Sequence, residues 1–242
     1  MNILLNILVV LGCLIWGFLV GSIPTGVIVG KLFFGVDPRD YGSHNSGGTN
    51  SGRVLGKKVG ILVMVLDIAK TVFAFWTVWL FLHFGPINLA DLFDNGVLYN
   101  YLVCVAAAFG HCFSPWLKFK GGKAVACFMA IFGGSSWLGF IISLAVFFTV
   151  FLVVFKKVMS KASLLSGAIL IGISGLFYLL DIIIGGGAFF KIILWDLGLV
   201  GGVCIGWEML VAEVIVYVLL VIRHASNIER IKKGEEKPLE WK

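Results

Sequence analysis

The sequence predicts an all-α polytopic membrane protein of about seven transmembrane helices, some short or hairpin-like, forming a single domain over residues 1–242. Three observations lead there. Hydrophobic residues make up 60% of the chain and charged residues 13%, whereas a soluble domain carries about 25% charge. Mean hydropathy is +1.02, more apolar surface than a 26.4 kDa globule has interior to hide it in. The apolar runs are continuous rather than alternating, which excludes a membrane β-barrel and calls for helices whose backbone groups satisfy one another in lipid. The same arithmetic excludes a disordered chain and an ordinary soluble enzyme.

The first apolar run covers residues 3–34 and is broken by Gly21-Ser22-Ile23-Pro24-Thr25-Gly26, where proline removes a backbone hydrogen bond and predicts a kink. A polar, glycine-rich stretch runs from Val36 to Lys58. Spans follow over 60–84 and 97–117, separated by a loop holding Asp91 and Asp94. The apolar stretch from Ala124 to Phe155 is long for one span and short for two. Gly133-Gly134-Ser135-Ser136 predicts a break near its middle, hence two short helices or a hairpin dipping part-way. A span over 162–184, a loop over 185–203 and a last span over 204–222, ending at Arg223, complete the series. The start lacks a basic n-region and its apolar run continues past signal-peptide length, so no cleavable leader is expected.

Cys13, Cys104, Cys112, Cys127 and Cys204 lie in or beside apolar runs without CxxC spacing and read as small core hydrophobes, neither a disulfide framework nor a zinc site. The aromatic residues read as core filling and interface anchors. No internal repeat supports an inverted-repeat transporter.

Net charge is +6, which in a soluble protein would suggest nucleic acid but here has to be read against the membrane. With the N-terminus outside and the C-terminus cytoplasmic, every basic residue except Lys70 and Lys191 falls on the cytoplasmic side. A single crossing over 124–155 would move Lys156, Lys157 and Lys161 outside, so the hairpin reading is favoured.

Three polar segments then converge on one side of the membrane. The first is Gly42-Ser43-His44-Asn45-Ser46-Gly47-Gly48-Thr49-Asn50-Ser51-Gly52-Arg53. Glycines let its backbone approach a ligand, and its hydroxyls, amides and guanidinium suit phosphate oxygens. It lacks the Lys-Ser/Thr that ends a Walker loop, and a flexible turn is the plain alternative. The second is Gly110-His111 with Leu117-Lys118-Phe119-Lys120-Gly121-Gly122-Lys123, where lysines flank a glycine pair at the start of the next helix. Those lysines could equally enforce topology and touch anionic lipid. The third is Arg223-His224-Ala225-Ser226-Asn227-Ile228-Glu229-Arg230, followed by Lys232, Lys233 and Gly234-Glu235-Glu236-Lys237. On a helix His224 and Asn227 share a face, and a histidine at a membrane boundary can handle a proton or merely cap a helix. Asp67 and Lys70, three apart within a span, either support a site or neutralise each other. His83 has no assigned role, and Glu208 and Glu213 in the last span find no explanation in this pattern.

Together these segments resemble the bacterial acyl-phosphate:glycerol-3-phosphate acyltransferase family, PlsY. The first block matches as Gly21-Ser22-Ile23-Pro24-Thr25-Gly26, Gly42-Ser43, Asn45, Gly47, Thr49-Asn50 and Arg53-Val54-Leu55-Gly56-Lys57, continuing to Asp67 and Lys70. The central block matches as Gly110-His111, Phe113 and Leu117 to Lys123; the C-terminal block as Arg223-His224, Asn227-Ile228, Arg230, Gly234 and Glu236. Gly48 stands where the family has alanine, Ala124 where it has glycine, Cys127 where it has threonine, and Ser226 where it has an acidic residue. Ser114-Pro115 rewrites a nearby turn, and 185–203 matches nothing.

The resemblance implies an inner-membrane enzyme, its site facing the cytoplasm, that moves a fatty acyl group from acyl phosphate to the sn-1 hydroxyl of glycerol 3-phosphate. Lysophosphatidate and phosphate are the implied products, with no acyl-CoA, cofactor or metal, and no nucleic-acid partner. An acyl phosphate is already a mixed anhydride, so the protein needs no covalent nucleophile; it must clamp phosphates, align the alcohol and stabilise an oxyanion. The expected catalytic residues are Ser43, Arg53, His224 and Asn227. Asn45, Gly47, Thr49, Asn50, His111, Lys118, Lys120, Gly121, Gly122 and Lys123 are expected to bind substrate, with Asp67 and Lys70 in support. The proton acceptor is either His224 or a substrate phosphate oxygen. Acyl-chain preference and oligomeric state are left open. A small-anion or phosphate-ester transporter using the same loops as a vestibule is the alternative, but the span interiors are nearly uncharged. A lipid-binding scaffold explains the lysines but not Ser43, Asn45, Asn50, His224 and Asn227 together. A His-x4-Asp motif is missing, as is the paired-aspartate pattern of CDP-alcohol transferases.

Overall fold

The structure, a computed structural model, describes residues 3–85, 96–184 and 206–241, and every regular element among these is helical. In chain order the α-helices are α1 (Ile3–Ser22), α2 (Thr25–Phe34), α3 (Gly48–Leu55), α4 (Lys57–Phe84), α5 (Gly96–Cys112), α6 (Val125–Ser135), α7 (Trp137–Thr149), α8 (Met159–Ile184), α9 (Trp207–Arg223) and α10 (Ala225–Lys232). By length and composition, five segments among the described residues can cross a membrane: Ile3–Phe34, Lys57–Phe84, Val97–Leu117, Trp137–Val154 and Met159–Leu180. α9 and α10 bend by 60° at His224 and make a sixth if taken as one span. α6 is apolar but has 11 residues, a rise of ~16 Å and about half the hydrocarbon thickness. Among the described residues, five or six segments and one short apolar helix stand where the sequence predicts about seven spans, some of them short. The 185–203 loop, Asp91, Asp94, Lys191 and Cys204 lie outside the described residues.

The expected break at Pro24 separates α1 from α2, and the Lys70 ammonium donates to the Ile23 carbonyl there at 2.8 Å. The expected break in the 124–155 stretch falls at Ser136, whose hydroxyl accepts the Gly139 N–H at 2.9 Å and so starts α7. α1 turns Ile3, Leu4, Ile7, Leu8, Leu11 and Ile15 outward, as a lipid-facing helix should. Its other face meets α5 with backbones nearly touching: a Cβ on Gly21 would overlap the Ala107 backbone, and one on Gly110 the Phe18 carbonyl. Phe75, Tyr101, Phe128, Ile131, Met209 and Val216 form the core where α4, α5, α6 and α9 pack. Cys13, Cys104, Cys112 and Cys127 are buried free thiols, as their sequence context predicts. The two unexplained carboxylates of α9 are also interior: Glu213 is fully buried and accepts the Ser174 hydroxyl at 2.9 Å, and Glu208 is buried beside the same core.

Candidate active site

The Gly42–Arg53 loop folds around one side chain. Asn50, the third residue of α3, is buried; its carbonyl accepts the Ser43 N–H at 2.7 Å. Its amide donates to the carbonyls of Pro38 at 2.7 Å, Asn45 at 2.9 Å and Tyr41 at 3.2 Å. Asn45 in turn accepts the Gly47 N–H at 2.9 Å. Asn50, expected from sequence to touch substrate, thus spends its whole carboxamide on the loop, and Asn45 spends its carbonyl oxygen. What the loop presents is Ser43, exposed, and Arg53, half-buried; among the described residues neither side chain is hydrogen-bonded.

The second segment is pinned to the end of α5. The N–H groups of Gly121 and Gly122 donate to the carbonyls of Cys112 at 3.0 Å and His111 at 2.9 Å. The Arg223 guanidinium reaches from the end of α9 to the carbonyls of the same pair, Nε to Gly122 at 3.1 Å and Nη2 to Gly121 at 3.0 Å, while stacking on Phe113 at 5.5 Å. Gly122 lies so close over the His111 ring that a Cβ would overlap it. The glycine pair, expected to cradle a phosphate, therefore has its own amides committed to α5. The amides left over are those of the first turn of α6, which begins without a side-chain cap. Lys118 and Lys120 are exposed, and among the described residues their side chains make no ion pair or hydrogen bond.

Beneath the glycine pair lies a buried charged cluster. Lys70 pairs with Asp67 at 2.8 Å, Thr25 donates to the same carboxylate at 2.6 Å, and Lys70 meets His111 Nδ1 at 3.2 Å. An ammonium can only donate, so His111 accepts at Nδ1 and carries its proton on Nε2. A small crevice opens at this point, lined by Pro24, Ser46, Ser114 and Leu117 along with the cluster. Asp67 and Lys70 thus pair with each other and also brace His111 and the α1–α2 break.

The third segment closes the ring. Lys123 donates to the carbonyl oxygen of Asn227, and the Asn227 amide donates to Glu236 at 2.7 Å. Glu236 also accepts Ser160 at 2.6 Å and Arg230 at 2.6 Å. Partial burial pushes the Glu236 carboxyl up, but the hydrogen bonds from Ser160, Asn227 and Arg230 outweigh it and hold it below its ordinary value. Lys123 moves the other way. Burial lowers its ammonium from 10.5 to about 8; Arg230, Arg53 and Arg223 push in the same direction and Glu236 opposes them. The first segment is joined to the third where the Trp241 indole lies against Gly52. His224, buried, holds the Leu220 carbonyl through Nδ1 at 2.8 Å. A carbonyl only accepts, so Nδ1 carries a proton, and in the neutral imidazole Nε2 offers a lone pair. Asn227, like Asn50, has both ends of its amide engaged.

The three segments are thus tied to one another, Lys123 to Asn227 and Trp241 to Thr49 and Gly52, so the cations Arg53 and Lys123 and the imidazole of His224, groups able to bind an anion and accept a proton, belong to one connected region. Sequence reading left Arg223, Glu236 and Thr25 without roles, although all three stand inside the segments it singled out. No sequence signal pointed to Trp241, whose indole N–H donates to the Thr49 carbonyl of α3 at 3.2 Å. Among the described residues no cluster of His, Cys, Asp and Glu could hold a metal ion.

Comparison with known proteins gives a consistent result. A family model described as glycerol-3-phosphate acyltransferase matches residues 11–234. Glycerol-3-phosphate acyltransferases of Staphylococcus aureus strains Newman and USA300 are 37% identical over 230 residues, covering 94% of this chain and 96% of theirs. The crystal structure of PlsY (YgiH), an integral membrane glycerol 3-phosphate acyltransferase, in its glycerol 3-phosphate form superposes with a TM-score of 0.70 at 27% identity, covering 96% of both chains. Its lysophosphatidic acid form gives 0.68 at 27% identity over 95% of this chain and 94% of that one.

Proposed function

The chain belongs to the glycerol-3-phosphate acyltransferase family, an integral-membrane, PlsY-type enzyme family that acylates glycerol 3-phosphate, and from that premise we propose that its acyl donor is an acyl phosphate and its acceptor the sn-1 hydroxyl. Lysophosphatidate and inorganic phosphate would leave, the first acylation of bacterial phospholipid synthesis, at the cytoplasmic face of the plasma membrane. One observation carries this reading: Lys123 bonds Asn227, one turn from His224, and Trp241 of the same C-terminal segment lies against Gly52, the neighbour of Arg53, so two cations from distant segments share a region with a histidine held through Nδ1.

The chemistry follows from that arrangement. Glycerol 3-phosphate and acyl phosphate each bring a phosphate; Arg53, Ser43, Lys123 and the first amides of α6 bind them. Holding the hydroxyl against the acyl carbon supplies most of the entropy of a two-substrate reaction. The hydroxyl oxygen attacks the carbonyl carbon, the negative charge on the carbonyl oxygen is met by the cationic groups, and the carbon–oxygen bond to phosphate breaks. The hydroxyl proton passes to His224 Nε2 or to an oxygen of the departing phosphate. Asn227 and Asn50 act one step back: Asn227 fixes Lys123 against Glu236, and Asn50 fixes the loop that carries Ser43. Asp67, Lys70 and His111 hold the glycine pair in place. The acyl tail lies among the apolar helices. A transporter reading gains nothing from the interior carboxylates, since Glu213 is packed in the core against Ser174.

The test is to reconstitute the purified protein with palmitoyl phosphate and glycerol 3-phosphate and follow phosphate release. Release that requires glycerol 3-phosphate, with no turnover of palmitoyl-CoA, is expected. Equal or better turnover of palmitoyl-CoA would overturn the donor assignment.

A further inference from the structure

Beyond α10 the chain turns at Gly234, in the left-handed region with φ of +73°, and runs back across the site as a strap. Its residues alternate in burial. Glu235, Lys237, Pro238 and Glu240 are exposed, while Glu236, Leu239 and Trp241 turn inward. Each inward residue meets a different part of the fold. Glu236 ties Asn227 to Ser160 at the start of α8. The Leu239 N–H donates to the Lys157 carbonyl at 2.7 Å, and its side chain packs against the cluster of Val150, Phe151 and Ala162. Trp241 reaches α3, donating to the Thr49 carbonyl and placing its indole against Gly52, where a Cβ would meet Nε1 at 2.5 Å and Cε2 at 2.6 Å.

Gly52 is also pressed from α4, since a Cβ on Gly60 would meet the Gly52 Cα at 2.6 Å. α3 is therefore held between α4 and the Trp241 ring. It is a short helix of eight residues whose side chains supply little apolar packing of their own. Arg53 follows Gly52 directly, so whatever fixes Gly52 fixes the stem of the guanidinium. Through Glu236 the same strap fixes Asn227 and hence Lys123.

We propose that Trp241 is a positioning residue for the acyl transfer: the strap from Glu235 to Trp241 sets the separation between Arg53 on α3 and Lys123 at the start of α6. This rests on the assignment of Arg53 and Lys123 to phosphate binding. Site geometry of this kind is sensitive, since a displacement of about 1 Å can cost on the order of 100-fold in rate.

The experiment is a double-mutant cycle on the reconstituted full chain, reading kcat and KM for glycerol 3-phosphate together with thermal unfolding. Trp241→Ala is expected to lower kcat/KM by about 10-fold or more with little change in Tm, and Trp241→Phe, which keeps the ring against Gly52, to recover most of the loss. On an Arg53→Lys background, Trp241→Ala is expected to add less than it costs alone, because the misplaced group is already impaired. A Trp241→Ala enzyme with wild-type kcat/KM, or one whose loss is fully additive with Arg53→Lys and unrescued by phenylalanine, overturns the strap. Wild-type activity in Arg53→Ala instead overturns the site assignment on which it rests, so the two failures read differently.

Discussion

Lys123 carries the sharpest chemical expectation at the scale of single residues. Its ammonium titrates at about 8, against an ordinary 10.5, because burial and the surrounding arginines disfavour the charge. The charge is therefore complete below that pH and lost above it. In the empty enzyme kcat/KM should fall as the pH rises through about 8, and Lys123→Arg, which cannot deprotonate in this range, should carry its residual activity to higher pH. Stability should move oppositely: a depressed lysine favours the neutral form in the fold, so this group's penalty is present below about 8 and relieved above it. A pH–rate profile identical in wild type and Lys123→Arg would show that another group controls the decline. The same scale shows where motif reading stops. Sequence marked Asn50, Asn227, Gly121 and Gly122 as functional residues. It could not tell a side chain aimed at substrate from one spent on folding the loop, because both uses call for the same small polar types. That distinction required the partners: Pro38, Tyr41 and Asn45 for Asn50, and Glu236 for Asn227.

Among the elements, the spans were legible because lipid imposes a length, and continuous apolar runs can meet it in one way. The break at Ser136 was legible too, from a Gly-Gly-Ser-Ser tract between apolar stretches. The shortness of α6 was legible as well, since the 124–155 stretch is too short for two full spans, but the bend between α9 and α10 was not, because it depends on what the neighbouring helices leave room for. α6 also starts in an unusual way. Ala124, where the family has glycine, sits at φ +62°, a conformation that costs an L-residue roughly 1 kcal/mol and glycine almost nothing. Its methyl is fully buried, so the departure is visible in sequence but its cost appears only in the backbone. Ala124→Gly should raise the Tm by an amount corresponding to roughly 0.5–1 kcal/mol and leave kcat intact. A lower Tm would show that the buried methyl contributes more packing than its backbone strain removes.

For the molecule as a whole, the distribution of lysine and arginine predicts one orientation, with the strap and all three polar segments in the cytosol. An accessibility probe attached after Trp241 should react with membrane-impermeant reagent only in inverted vesicles; labelling in intact cells would reverse the topology. The strap itself was invisible to sequence reasoning: a tail of charged residues and one tryptophan carries no periodicity, and only its contacts with Ser160, Lys157 and Thr49 give it a path. What sequence did convey at this scale was the meeting of three remote segments, read from their shared side of the membrane and from family resemblance.

The most direct test of that meeting is the initial rate of lysophosphatidate formation from palmitoyl phosphate and glycerol 3-phosphate by reconstituted Arg53→Ala, Lys123→Ala and His224→Ala enzymes that melt like the wild type. Each should retain about 1% of the wild-type rate or less, as expected when a charge-stabilising or proton-accepting group is removed from a preorganised site. Near-wild-type rates in Arg53→Ala and His224→Ala would contradict the account, because no single site would then be carrying the reaction.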